Sequence, residues 1–335
     1  MSPESDSAPN HHHSSPGEES PLRSRRGILR NGFGIKTNGL QVGLKPERGW
    51  ARRNYRFVRH RLLGTALQRR EKGEHHGRRR DFHVLGEHEI EVTWIGHASF
   101  LVRTPLRNIL IDPNWALWHG PVKRARHPGC LLEHLPPIDL VLITHAHFDH
   151  LHRPSLKAIA NGQTVLVPQG VGKVLKRLQF SKVREMHNWE LHLDEGLEVV
   201  FTPSHHWGAR MAVDTHRGFG GFIIKTPHAS LYHSGDSAYF GGFKEIGERH
   251  AIDTALLPIG AYESPSGRDV HMNPEEAIKA FGDLGARQMI PMHYGHFPLG
   301  NEGMHEPLHR LQAAAQAGGL SERVIVPPEG APVLV

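Results

Sequence analysis

Cysteine is nearly absent: Cys130 is the single one in 335 residues. No disulfide can form within the chain. A thiolate zinc site is excluded too, because such sites use two or more cysteines. Any metal site must be built from histidine and carboxylate. One cysteine suits a reducing cytoplasm, the expected location. No apolar run approaches the roughly 20 residues that a transmembrane helix needs. The opening stretch, MSPESDSAPNHHHSSPGEES, has no apolar segment of the kind a secretory signal carries. It is rich in Ser, Pro and Glu, and that composition does not build a core. Its three histidines, His11 to His13, read as an incidental polar tract.

Hydrophobic residues make up 38% and charged residues 22%. That balance suits a globular chain with one large domain or two smaller ones. The net charge of +6 is concentrated early, in PLRSRRGILR and ARRNYRFVRHRLLGTALQRREKGEHHGRRR. A solvated, partly helical extension is the favoured reading, since charge runs are usually solvated. RFVRHRLLGTAL interleaves Phe57, Leu62, Leu63 and Leu67 with basic residues. It is weakly amphipathic, so peripheral membrane contact through this basic arm stays open. Nucleic-acid binding is the weaker reading, because aromatic residues do not interleave regularly with the charges. The expected boundary falls near residue 82: residues 1–82 form a largely disordered or partly helical extension, and 83–335 form the main domain. Oligomeric state is not legible.

After the boundary, runs rich in Val and Ile read as strands: EIEVTWI, SFLVRT, NILID, DLVLIT, QTVLVP, LEVVFT, FGGFIIKT, SLYHSG, TALLPI and RQMIPM. VGKVLKRLQ places Val171, Val174, Leu175 and Leu178 on one helical face. NPEEAIKAFGDLG predicts a helix capped by Asn273, with Pro274 at its first position and Gly285 at its end. EPLHRLQAAAQAGG predicts a last helix. Strands followed by alternating strands and helices predict an α/β domain with more than one sheet.

The stretch THAHFDHLH follows a buried strand and packs five metal-binding side chains into nine residues: His145, His147, Asp149, His150 and His152. At this spacing His145 and His147 can turn toward one ion, and Asp149 and His150 toward a second. Imidazole and carboxylate suit zinc, with Fe or Mn as alternatives. Asp149 offsets positive charge and can hold a metal-bound water. Four ligands cannot enclose two ions, so others must come from elsewhere. Three more strand ends offer them: His205 and His206 in FTPSHHWGAR, Asp236 in YHSGDSAYF, and His293 and His296 in IPMHYGHF. Each alone is ordinary, but four such strand ends in one chain are not. NWALWHG adds Trp115, Leu117 and Trp118, either as an apolar pocket lining or as ordinary loop packing. His97 in GHAS either lines the site or locks a turn beside Gly96.

The order Asp112, His145, His147, Asp149, His150, His206, Asp236, His293 resembles the metallo-β-lactamase superfamily over residues 88 to 335. The strings TWIGHASFLV, LPPIDLVLITHAHFDHL, HWGAR, SGDSAYF, LPIGAYE and HMNPEEA resemble the branch containing N-acylphosphatidylethanolamine-hydrolysing phospholipase D and its bacterial relatives. The implied fold is an αββα four-layer sandwich with the site at one edge. The implied first ion is held by His145, His147 and His206, and the second by Asp149, His150 and His293. Asp236 would bridge them, and Asp112 would support the histidine loop. His206 is preferred to His205 because the family's ligand directly precedes an aromatic residue, here Trp207. Asp149, Asp236 and His271, the last in VHMNPEEA, are the implied catalytic residues. The implied activity is hydrolysis by a metal-bound hydroxide at two zinc ions. A phosphodiesterase of the phospholipase D type is the first expectation, acting on a small-molecule or lipid substrate. A lactonase or carboxylic-ester hydrolase is the alternative, and a nuclease is less favoured.

Overall fold

The computed structural model describes residues 33–37, 40–44, 55, 57–79, 81–211 and 214–335. The amino-terminal 32 residues, with the three-histidine tract, lie outside the described residues. β1 (Phe33–Thr37) pairs antiparallel with β2 (Leu40–Leu44). A wide helical turn, Phe57–Leu62, leads into the short helix α1 (Leu63–Leu67).

β3 (Glu91–Gly96), β4 (Ser99–Arg103) and β5 (Asn108–Ile111) form an antiparallel meander. A small hairpin, β6 (Trp118–His119) and β7 (Val122–Lys123), follows. β8 (Leu140–Leu142), β9 (Thr164–Pro168) and β10 (Lys182–Met186) then add in parallel beyond β5. The helix α2 (Arg153–Ile159) bridges β8 to β9, as a parallel pair requires.

A second sheet runs β11 (Leu191–Asp194), β12 (Leu197–Thr202), β13 (Gly221–Lys225), β14 (Ser230–His233), β15 (Thr254–Pro258) and β16 (Gln288–Met292). Its first four strands are antiparallel and its last two join in parallel. The helices α3 (Gly242–Arg249) and α4 (Pro274–Leu284) make those parallel crossovers. α5 (Glu306–Ala317) follows, and β17 (Pro332–Leu334) returns antiparallel to β3, closing a seven-stranded first sheet.

Strand alternation sorts the side chains into layers. Trp94, Phe100, Ile109, Ile111, Leu140, Leu142 and Leu166 of the first sheet belong to one buried cluster with Val199, Phe201, Phe222 and Ile224 of the second. Their alternate neighbours Val141, Val165 and Val167 pack under Leu156 of α2. Phe243 and Ile246 of α3, Phe281 and Leu284 of α4 and Leu311 of α5 join the main cluster from the second sheet's side. The result is an αββα sandwich. Each fully buried Val, Leu, Ile or Phe contributes roughly 1.5–3 kcal/mol, so this central cluster is the dominant driving force.

α4 begins at a full capping box: the Asn273 side chain accepts from the Glu276 amide, and the Glu276 side chain accepts from the Asn273 amide. Gly285 ends it at φ 62°. The helix expected around residues 171–178 is only a tight turn, Gly172–Leu175. The Glu185 carboxylate accepts the amides of Gly170 and Gly172 and holds that turn against β10. No helix among the described residues is long and apolar enough to cross a membrane.

Residues just before the expected boundary at 82 are bonded to the body. Arg70 donates to the carbonyls of Leu117 and Arg124, and the His76 ring meets the Pro128 carbonyl.

Candidate metal centre

Asp112, His145 to His150, His206, Asp236 and His293 all follow the carboxyl ends of strands, where ligand sites of α/β sheets gather. Asp112 follows β5, the loop 144–152 follows β8, and His206 follows β12. Asp236 follows β14 and His293 follows β16. His97 joins them from the turn between β3 and β4. Six separate loops supply these side chains, four of which share the loop 144–152, yet they converge on one spot.

Two adjacent groups result. In the first, Nε2 of His145 lies 2.9 Å from Nδ1 of His147, and Nε2 of His206 lies 3.3 Å from the same atom. Three imidazole nitrogens this close cannot all satisfy one another with hydrogen bonds. In the second group, Oδ2 of Asp149 lies 3.5 Å from Nε2 of His293 and 3.7 Å from Nε2 of His150. Asp236 stands between the groups. Its Oδ2 is 3.1 Å from His150, 3.0 Å from His293 and 3.9 Å from both His145 and His206. The donor atoms meet the spacing of metal ligands in both groups.

The buried atoms left without hydrogen-bond partners include Nε2 of His150 and His293, Oδ1 of Asp236 and Nδ1 of His271. Burying unpaired polar atoms is costly, so a concentration of them here needs a ligand to explain it. A divalent cation fits this donor set, and the clusters are consistent with a dinuclear site.

The supporting contacts orient the ligands. Asp112 accepts from the Thr144 amide at 2.7 Å and the Thr144 hydroxyl at 2.5 Å, and its Oδ2 meets His150 Nδ1 at 2.7 Å. That leaves Nε2 of His150 aimed at Asp236. His206 donates Nδ1–H to the Val270 carbonyl at 2.9 Å, which frees Nε2 for the cluster. Arg210 donates to the carbonyls of Ala146 at 2.7 Å and Leu151 at 2.8 Å, and its guanidinium lies 3.9 Å over the Phe148 ring. Asn114 donates to the Asp149 carbonyl at 2.6 Å. His97, Asp112 and His293 have φ of 59°, 44° and 61°, left-handed backbone that non-glycine residues seldom adopt. Such strain collects at functional sites.

The two groups differ in charge. Burial, with neighbouring imidazoles, holds His145 well below the ordinary histidine value. Burial takes His147 and His206 down to about 3. Burial also opposes charge on His150 and His293, but the carboxylates of Asp236 and Asp149 outweigh it there. They raise His293 to about 9 and His150 well above its usual value. Asp149 and Asp236 are pulled well below the usual carboxylate range, because His150 and its neighbours outweigh their burial.

His271 is buried, with Nδ1 3.9 Å from Asp236 and its ring stacked 5.2 Å from His293. Burial lowers it to about 3. His205 points elsewhere, its ring 6.2 Å from Phe240. His152 caps α2 through Ser155. His296 is buried beside Gly96 and Arg124: a Cβ on Gly96 would lie 2.4 Å from its Nε2. Trp115 packs against the outer cluster of Ile95, Leu101 and Leu110 and donates Nε1–H to the Cys130 carbonyl, so its role is loop packing. Leu117 and Trp118 are exposed. Arg210 and Asn114 were not singled out from the sequence. Their signal, a polar side chain reaching a distant loop, exists only in three dimensions.

Residues 107–294 match the family described as the β-lactamase superfamily domain, and the chain belongs to that superfamily, with the metallo-β-lactamase fold. A metal-dependent hydrolase of Pyrobaculum arsenaticum is 33% identical over 234 residues, which cover 68% of this chain and 94% of that one. N-acyl-phosphatidylethanolamine-hydrolyzing phospholipase D 1 of Caenorhabditis elegans is 32% identical over 260 residues, covering 71% of this chain and 72% of that one. Igni18, a metallo hydrolase from Ignicoccus hospitalis, superposes with a TM-score of 0.58 at 25% identity, covering 74% of this chain and 98% of that one. With the clustered His and Asp side chains, the chain is a metal-dependent hydrolase.

Proposed function

We propose that the chain is a zinc-dependent phosphodiesterase of the phospholipase D type. The observation that carries the metal part is the convergence of seven side chains in two groups that share Asp236. His145, His147 and His206 would hold one ion, and Asp149, His150 and His293 the other, with Asp236 between them. The phosphodiester part is supported by the Caenorhabditis elegans relative. Ions bound there would act as Lewis acids, polarising a substrate oxygen and lowering the pKa of coordinated water toward neutrality.

The chain's own residues supply the rest. Asp112, Thr144 and Arg210 fix the histidine loop, so the ligands need little rearrangement to receive an ion. His271, neutral through burial, has one N–H. It stabilises charge by donating that hydrogen bond rather than by delivering a proton from an imidazolium. Burial of the groups excludes bulk water and strengthens each of these contacts.

The experiment is a panel on zinc-loaded protein with His145→Ala as the blank. A chromogenic phosphodiester, an N-acylated phosphatidylethanolamine and a long-chain acyl-homoserine lactone are compared. Phosphodiester or phospholipid turnover that vanishes in the variant is the expected result. Turnover of the lactone alone overturns the phosphodiester reading and leaves the metal centre intact.

A further inference from the structure

His97 is 1% exposed and sits in the tight turn between β3 and β4. Its backbone is left-handed, at φ 59°. A non-glycine residue there costs roughly 1–2 kcal/mol, so the position needs a compensating role. Gly96 before it, at φ 126°, is packed against His296 and Arg124 and leaves the turn no room to shift.

Each end of His97 reaches a different member of the Asp149 group. Its Nε2 lies 2.9 Å from Asp149 Oδ2, the same oxygen that faces His150 and His293. Its carbonyl accepts the His293 amide at 3.0 Å and the Trp94 indole N–H at 2.9 Å. Its ring packs 4.0 Å from His293 and edge-on to Phe297 at 5.1 Å. Nδ1 is buried without a partner. A neutral imidazole has one N–H, and the carboxylate contact assigns it to Nε2. Nothing holds a proton at Nδ1, and although Nε2 lies within metal-ligand spacing of Asp149, His150 and His293, its short contact with the carboxylate makes His97 a donor to Asp149.

We propose that His97 is the positioning residue for the Asp149–His150–His293 half of the centre. Its side chain aims the Asp149 carboxylate, and its main chain anchors the strained His293. It sets the affinity of that half for its ion without being a ligand. The proposal rests on the two-ion reading above.

The test uses the full chain and three variants. His97→Phe keeps the ring and removes the donor. His97→Asn suits left-handed backbone and is too short to reach Asp149. His97→Gln returns a donor at the right length. Zinc binding is followed by titration and by metal content, and folding by thermal melting. The wild type should take two equivalents. In His97→Phe and His97→Asn one equivalent should keep its affinity while the other weakens about 10- to 100-fold, the usual effect of removing a partner behind a ligand. His97→Gln should recover part of the loss, with a visible cobalt spectrum that overlays the wild type.

Two unchanged affinities in whichever of the Phe and Asn variants folds would overturn the proposal, as would equal weakening of both ions. An altered cobalt spectrum in His97→Gln would overturn it in favour of His97 as a direct ligand. If the wild type itself takes up no zinc that His145→Ala loses, the two-ion reading has failed instead, so the two failures are distinguishable.

Discussion

The two halves of the centre lie against each other, yet they are built on different principles. The His145, His147 and His206 half is all imidazole, buried and kept neutral by that burial. The Asp149, His150 and His293 half contains a carboxylate, leans on Asp236 and keeps its histidines charged. The first half offers lone pairs that are already free. The second must lose protons before it can bind a cation, but its carboxylates attract that cation more strongly. A pair of histidines two residues apart can build the first kind of half almost locally. The second needs five loops to agree, and it carries most of the support from Asp112, Asn114 and His97.

The largest effect should come from the residue the halves share. Asp236→Ala is expected to lose both ions and to reduce turnover to background, measured as metal content beside activity. Loss of one ion only would show that Asp236 belongs to a single half. Asp112→Asn should be milder and one-sided. Its loss leaves His150 unaimed, so the affinity of that half should fall roughly 10- to 100-fold. Equal weakening of both ions in equilibrium titration would contradict that assignment.

Protonation sharpens the contrast. His293 is raised to about 9, so at pH 7 it holds a proton in the ion-free protein, and a cation must expel it. The histidines of the other half lie below their ordinary value and have no proton to lose. Calorimetric titration in buffers of different ionisation enthalpy should therefore show proton release for one equivalent and little for the other. Equal release for both would mean the charge difference is not real.

Arg210 ties the His206 loop to the His145 loop through two carbonyls. Arg210→Ala should lower stability by about 1.5–3 kcal/mol, the range for a hydrogen bond to a charged group, read from denaturant unfolding. An unchanged midpoint would show that the contact is replaced by solvent. The smallest effect is expected at His205, whose ring lies outside both groups. His205→Ala should leave turnover near wild type, while His206→Ala removes it.

The strands that the sequence reveals are those with dense Val and Ile, such as Thr164–Pro168 and Leu197–Thr202. The edge strand Lys182–Met186 was not legible, because its KVREM is mostly exposed and lacks an apolar signature. The α4 helix was readable to its ends, since Asn273, Pro274 and Gly285 act locally. The helix expected at Val171 fails because Glu185, some 14 residues on in sequence, captures the turn. Periodicity cannot register such a contact. The candidate ligands were legible because they crowd the loops that follow strands, four of them within HAHFDH. Which nitrogen each presents, and what orients it, depends on Val270, Asn114 and Arg210, all remote in sequence.

The most direct measurement is the zinc stoichiometry of the folded full chain beside His145→Ala, with folding confirmed by melting in both. Two equivalents in the wild type, and fewer in the variant together with loss of turnover, are the predicted result. A wild type that holds no stoichiometric metal, or a variant that holds as much as the wild type, would contradict the two-ion centre.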